Sequence, residues 1–247
     1  MKIIEFFGPP CSGKTLKANL LIKNNSNFIS SNSLIFNYSD EILKLNVFDT
    51  TVLKYISVIK YLKQFKSLKN NRRKQVLNVK EKINSSLVSR NKYTNLMINR
   101  YRAICKRLYD LYSKKNSNFI KFYLTNLKKI KDKNMRINFK IWFEETAAKY
   151  FIAQKLDKNK IVVFDEGFIQ RSLFIFYQKS NYRSKVDKYF ALMDCPDYAI
   201  YLDADTKRLF NRSNIRKSQE KNIFVYKNLK HIEKHKAFFK YVLKKLN

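Results

Sequence analysis

Lys2-Ile3-Ile4-Glu5-Phe6-Phe7 runs directly into Gly8-Pro9-Pro10-Cys11-Ser12-Gly13-Lys14-Thr15, and Leu16 to Lys23 follows with the make-up of a helix. A strand, the pattern G-x-x-x-x-G-K-T and a helix, in that order, are a phosphate-binding loop in the context it requires. Gly8 and Gly13 permit backbone dihedrals that a side chain hinders, so successive N–H groups can point inward at a phosphate. The opening turn of the helix adds its positive dipole end. On this reading Lys14 bridges the β- and γ-phosphates of a nucleoside triphosphate and Thr15 sets its hydroxyl on Mg2+. The predicted nucleotide-binding residues are therefore Gly8, Pro9, Pro10, Cys11, Ser12, Gly13, Lys14 and Thr15. Cys11 occupies an unspecified position, where a small side chain that merely fits and a thiol open to reagents are both compatible with the pattern.

A second stretch complements the first. Lys160-Ile161-Val162-Val163-Phe164-Asp165-Glu166 is an apolar run that ends in two acids. Such a run reads as a buried parallel strand, and the carboxyl ends of parallel strands are where an open α/β sheet presents its ligand. Asp165 is thus expected to hold Mg2+ or its waters, as the acid of a Walker B strand does.

Length and composition bound the rest. The chain has 247 residues, which suits one large domain or a core carrying an insertion. At 45 % hydrophobic and 15 % aromatic it has ample apolar surface to fold, and only 3 Gly and 3 Pro argue for long helices against a turn-rich all-β fold. No stretch approaches the ~18 apolar residues of a membrane span, and the run Ile3 to Phe7 is too short for a secretory signal, so a cytoplasmic protein is expected. Cys11, Cys105 and Cys195 are scattered and odd in number, which fits free thiols.

The formal charge is +33. Lys is abundant together with Asn, Ile, Phe and Tyr, all encoded by AT-rich codons, whereas the scarcity of Asp and Glu suggests a positive surface in its own right. Residues 60–140 hold 24 Lys+Arg against three acids, Glu81, Asp110 and Asp132, and contain neither Gly nor Pro. Apolar positions there recur at three and four residues, as in Leu96, Tyr101, Ile104, Leu108 and Leu111, which predicts amphipathic helices. Breaks are expected at Asn70-Asn71, from Ser85-Ser86 to Asn91, and at Asn116-Ser117-Asn118. Tyr101, Tyr109, Tyr112 and Phe122 lie among the basic residues, where both base stacking and core packing account for them. Trp142 to Leu156 and Lys227 to Leu246 read as further amphipathic helices, with Glu144 and Glu145 capping or facing solvent. Ile223 to Tyr226 reads as a short strand. His231 and His235 have metal-capable i, i+4 spacing without a nearby third ligand. Asp40 and Glu41 are candidates either for a general base or for plain surface acids.

Asp165-Glu166-Gly167-Phe168 with Gln170-Arg171 resembles the D-E-G-x-x-Q-R or D-R segment of P-loop nucleoside and nucleotide kinases. Tyr198 to Asp205 is similar to their fourth core strand, and Lys207 to Arg216 to their helix-and-lid stretch R-x-x-x-R. The resemblance spans roughly residues 1–35 and 142–247. It implies a thymidylate-kinase-like or deoxynucleoside-kinase-like core. The implied roles are lid arginines Arg212 and Arg216 over the ATP phosphates, and Glu166 and Arg171 on the acceptor side. The family's last core strand has no counterpart after the C-terminal helix.

The expected architecture is α/β, a three-layer P-loop NTPase fold with a parallel central sheet and a large basic α-helical insertion. Its divisions are a first core part at 1–55, the insertion at 56–141 and a second core part at 142–247, which carries the acid-tipped strand and the lid. The expected activity is ATP- and Mg2+-dependent transfer of a γ-phosphoryl group to a small acceptor, with Lys14, Asp165, Arg171, Arg212 and Arg216 catalytic and Thr15 and Asp165 on the metal. The alternative is a nucleic-acid-binding P-loop NTPase or polynucleotide kinase that uses the basic insertion. Docking of that insertion on an anionic membrane surface is a third reading.

Overall fold

The computed structural model describes residues 1–69, 87–177, 181–219, 226 and 228–246, and for 59–69, 87–94 and 216–219 the backbone course alone. One all-parallel sheet contains β1 (Lys2–Phe7), β2 (Phe28–Ser30), β3 (Ile161–Phe164) and β4 (Tyr198–Tyr201) in the order β2-β3-β1-β4. Among the described residues ten helices accompany it: α1 (Lys14–Lys23), α2 (Ser31–Leu43), α3 (Val47–Lys69), α4 (Leu87–Lys115), α5 (Ser117–Lys128), α6 (Lys133–Ala153), α7 (Phe168–Phe176), α8 (Tyr182–Leu192), α9 (Thr206–Gln219) and α10 (Leu229–Leu246). The molecule is therefore α/β with a parallel sheet.

β1 is buried on both faces, which is why it reads as a nearly continuous apolar run. Ile4, Phe6 and Val163 pack on Ala18, Leu21 and Ile22 of α1. Ile3, Phe7, Val162 and Phe164 point the other way into the main core, where they meet α2, α6, α7 and α10. Three layers result, one helix on one face of the sheet and a thick helical mass on the other. The chain leaves β1 toward β2 on one side, and it leaves β3 toward β4 on the other. The carboxyl ends of the adjacent strands β1 and β3 thus flank a switch point, where an open sheet forms its crevice.

The basic helices belong to the main core. Ile104, Leu108, Tyr112, Phe119 and Tyr123 share one hydrophobic cluster with Phe7 and Phe164. Phe143, fully buried, stacks on Tyr123 with centroids 3.5 Å apart and lies 5.4 Å from Phe168. Each such aromatic pair contributes about 1 kcal/mol beyond its area burial. Tyr101, Tyr109 and Tyr112 are buried and Phe122 is half-buried under Lys188, so these aromatics serve packing. Buried Asp49 of α3 pairs with Arg100 of α4 at 2.5 Å. The divisions at 55/56 and 141/142 fall inside α3 and α6.

Several boundaries differ from the sequence reading for local reasons. Asn91 lies within α4, because its amphipathic pattern outweighs the low propensity of Asn. Asn116 does separate α4 from α5. The helix expected from Trp142 begins at Lys133, where Asp132 accepts the N–H of Met135 at 2.9 Å as an N-cap. Glu145 sits mid-helix rather than at a cap, and instead of facing solvent freely it pairs with Lys149 at 3.1 Å and accepts from the Tyr101 hydroxyl at 3.2 Å. Asn70-Asn71, Ser85-Ser86 and Ile223 to Val225 lie outside the described residues. Among the described residues no helix is long and apolar enough to cross a membrane, and Cys11, Cys105 and Cys195 form no disulfide.

Candidate functional site

The loop from Gly8 to Gly13 leaves the buried end of β1 and turns back into α1. Gly8 (φ 143°) and Gly13 (φ 97°) both take left-handed backbone conformations, and Cys11 joins them at φ 68°. At Gly8 space is as restrictive as dihedral, since a Cβ would stand 2.2 Å from the Leu202 carbonyl oxygen. Lys14 is buried and donates to the carbonyls of Gly8 (3.1 Å) and Pro9 (3.2 Å), which curls its ammonium back across the loop. The Ser12 hydroxyl is buried with no partner among the described residues. An orphaned hydroxyl in the same loop as a buried ammonium that donates to carbonyls is a donor set that suits a phosphate.

Parallel pairing of β1 with β3 carries Asp165 to the same end of the sheet. The Thr15 hydroxyl donates to Asp165 Oδ2 at 2.8 Å across 150 residues of sequence. Beyond Asp165 the Glu166 carboxylate pairs with Arg171 at 3.2 Å. The Arg171 guanidinium also donates to Thr146 Oγ1 at 3.3 Å and lies 5.5 Å from the Trp142 ring centroid. Arg171 is therefore held on three sides, with its Glu166 partner half exposed.

The opposite wall comes from the segment after β4. Arg212 of α9 donates to the Cys11 carbonyl at 3.2 Å, and the Tyr226 hydroxyl donates to the Pro10 carbonyl at 3.2 Å. Arg216 is in α9, with its side chain outside the described part. Asp205 caps α9 through the N–H of Arg208, a hydrogen bond that lowers its pKa.

Other candidates sit elsewhere. Asp40 accepts the N–H of Leu45 at the end of α2, and Glu41 lines a surface hollow with Lys155 and Asp157. That hollow precedes β3 in the chain, at the end of the strand away from Asp165, so the surface alternative holds for both acids. His231 and His235 do face each other, 4.7 Å between ring centroids, but no cluster of three metal-ligating groups occurs among the described residues. Burial, reinforced by His231 and Lys14, pushes the pKa of His235 down to about 3.

The sequence reading missed two buried residues that brace the site. Glu5, inside β1, accepts the N–H groups of Gly167 (3.1 Å) and Gln170 (3.0 Å) and the hydroxyl of Tyr150 (3.0 Å). Burial raises its pKa to about 7, against the lowering effect of those hydrogen bonds. Gln170 in turn accepts the N–H of Gly8 at 3.1 Å. An acid in the middle of an apolar strand was the visible signal for Glu5.

Compared with family models, with curated proteins and with solved structures, the chain matches none.

Proposed function

We propose that the chain is an ATP- and Mg2+-dependent P-loop kinase that moves the γ-phosphoryl group to a small hydroxyl- or phosphate-bearing acceptor such as a nucleoside, nucleotide or sugar-like molecule. The fold is then a P-loop NTPase core with the basic helices built into one layer. The observation that carries the reading is the 2.8 Å contact of Thr15 with Asp165, which joins the phosphate loop to the acid-tipped strand at one point.

A hydroxyl and a carboxylate are hard oxygen donors, the kind Mg2+ takes while keeping several waters, so Thr15 and Asp165 fit that ion. Held by Thr15 and Asp165, Mg2+ would supply charge neutralisation for the bound phosphates. The chain's own contribution is positioning and electrostatics. The loop amides and the start of α1 hold the phosphates, and Lys14 exchanges the Gly8 and Pro9 carbonyls for phosphate oxygens. Arg212 closes the loop from the α9 side and excludes water. Arg171, oriented by Glu166 and Thr146, presents a fixed cation to the acceptor or the moving phosphoryl group.

The test is calorimetric titration of the purified chain with Mg2+-ATP, followed by turnover on a broad acceptor panel. Binding by the wild type, with a loss of about 10- to 100-fold in Lys14→Ala, is expected from one charge-assisted contact. Unchanged affinity in Lys14→Ala with no acceptor turned over would overturn the proposal.

A further inference from the structure

Between the phosphate loop and the Asp165 turn runs a buried polar chain that the contacts of Lys14 and Thr15 do not account for. Glu5 is fully buried in β1. An acid there is costly unless its oxygens are occupied, and α6 and α7 occupy them with the Tyr150 hydroxyl and the N–H groups of Gly167 and Gln170. A Cβ at 167 would stand 2.3 Å from Glu5 Oε2, so a side chain there would displace the carboxylate from its partners. Gln170 extends the chain by accepting the Gly8 N–H, while its own Nε2 is buried with no partner among the described residues. An orphaned donor offsets what one neutral hydrogen bond contributes, so the fold gains little from Gln over an apolar side chain of the same length. What the amide supplies is the tie to Gly8.

We propose that Glu5 and Gln170 are positioning residues: they lock Gly8 and Gly167 to each other, and so set the register in which Thr15 and Asp165 meet on one cation. The inference rests on the proposed reading of the site. Neither side chain is asked to touch phosphate or metal, and each acts through the backbone it holds. The partners that orient a metal ligand typically alter metal affinity by about 10- to 100-fold when removed.

The experiment measures ATP affinity of the full chain by calorimetry with Mg2+ and with EDTA, beside thermal unfolding, for the wild type, Gln170→Met, Gln170→Asn and Glu5→Gln. The ratio of the two affinities is the metal-dependent increment. Gln170→Met, which exchanges the orphaned Nε2 for an orphaned Gly8 N–H, is expected to lower the unfolding temperature by no more than a few degrees, to keep the EDTA affinity, and to lose about 10- to 100-fold of the increment. Gln170→Asn, an amide too short to reach Gly8, loses it as well. Glu5→Gln retains an oxygen for the two N–H groups and a donor for Tyr150, and keeps the increment. An undiminished increment in both Gln170 variants, or equal losses with Mg2+ and with EDTA, overturns the positioning role and leaves the kinase reading standing. Absence of ATP binding in the wild type removes both.

Discussion

Replacing Glu5 by Gln should flatten part of the pH dependence of stability, by an amount that follows from its surroundings. Burial raises the pKa of Glu5 from 4.5 to about 7. Between those values the folded chain retains a proton that the unfolded chain has released, so folding loses stability as pH rises through that window. Below 4.5 both states are protonated and the effect vanishes; above about 7 both are ionised and the penalty is complete. At ~1.4 kcal/mol per pH unit the swing is about 3 kcal/mol. Gln preserves the shape and the acceptor oxygen without titrating. Urea unfolding of both proteins from pH 4 to pH 8, followed by circular dichroism, isolates this group, because every other titration is common to the pair. The stability of Glu5→Gln relative to wild type should climb by about 3 kcal/mol across the range. Two parallel curves would refute the argument.

Further outcomes follow from single contacts. Gly8→Ala forces a Cβ against the Leu202 carbonyl at an unfavourable φ, and should lower the unfolding temperature by about 5 °C or more in calorimetry. Phe143→Ala empties a position ringed by Tyr123, Phe119 and Phe168, and should cost ~3–5 kcal/mol in chemical denaturation. Lys114, Lys115, Lys121, Lys128, Lys129 and Lys131 are exposed with no acid among residues 111–131. Any oligonucleotide binding to this face would fall steeply with salt, and reversing Lys121, Lys128 and Lys129 to Glu would then reduce the slope of the log–log salt plot by about 3; no measurable binding at low salt would leave these lysines as solvated surface.

Legibility in the sequence was uneven for physical reasons. The two strands nearest the candidate site announced themselves, Lys2 to Phe7 by its apolar run into a glycine turn and Ile161 to Phe164 by its apolar run into two acids. β2 did not, since three residues, Phe28 to Ser30, are too few for any periodicity to register. The basic helices were visible from their three-and-four spacing, yet nothing in that spacing says which surface they cover, and their aromatics turned out to line the same core as the sheet. Within the site, local pattern marked the loop, Lys14, Thr15 and Asp165. Gln170 was quoted as part of a motif, and its role depends on a partner 162 residues away. Contacts at that separation leave no periodic trace.

The way Phe168 is packed has a bearing on how variation in this chain should be interpreted. Its ring touches Tyr112 and Phe119 of the basic helices, while its backbone follows Gly167 directly. Excising those helices to obtain a smaller unit around the sheet would strip the wall against which the acidic turn is seated. Drift in their aromatic residues would be felt at the Asp165 turn long before it altered surface charge.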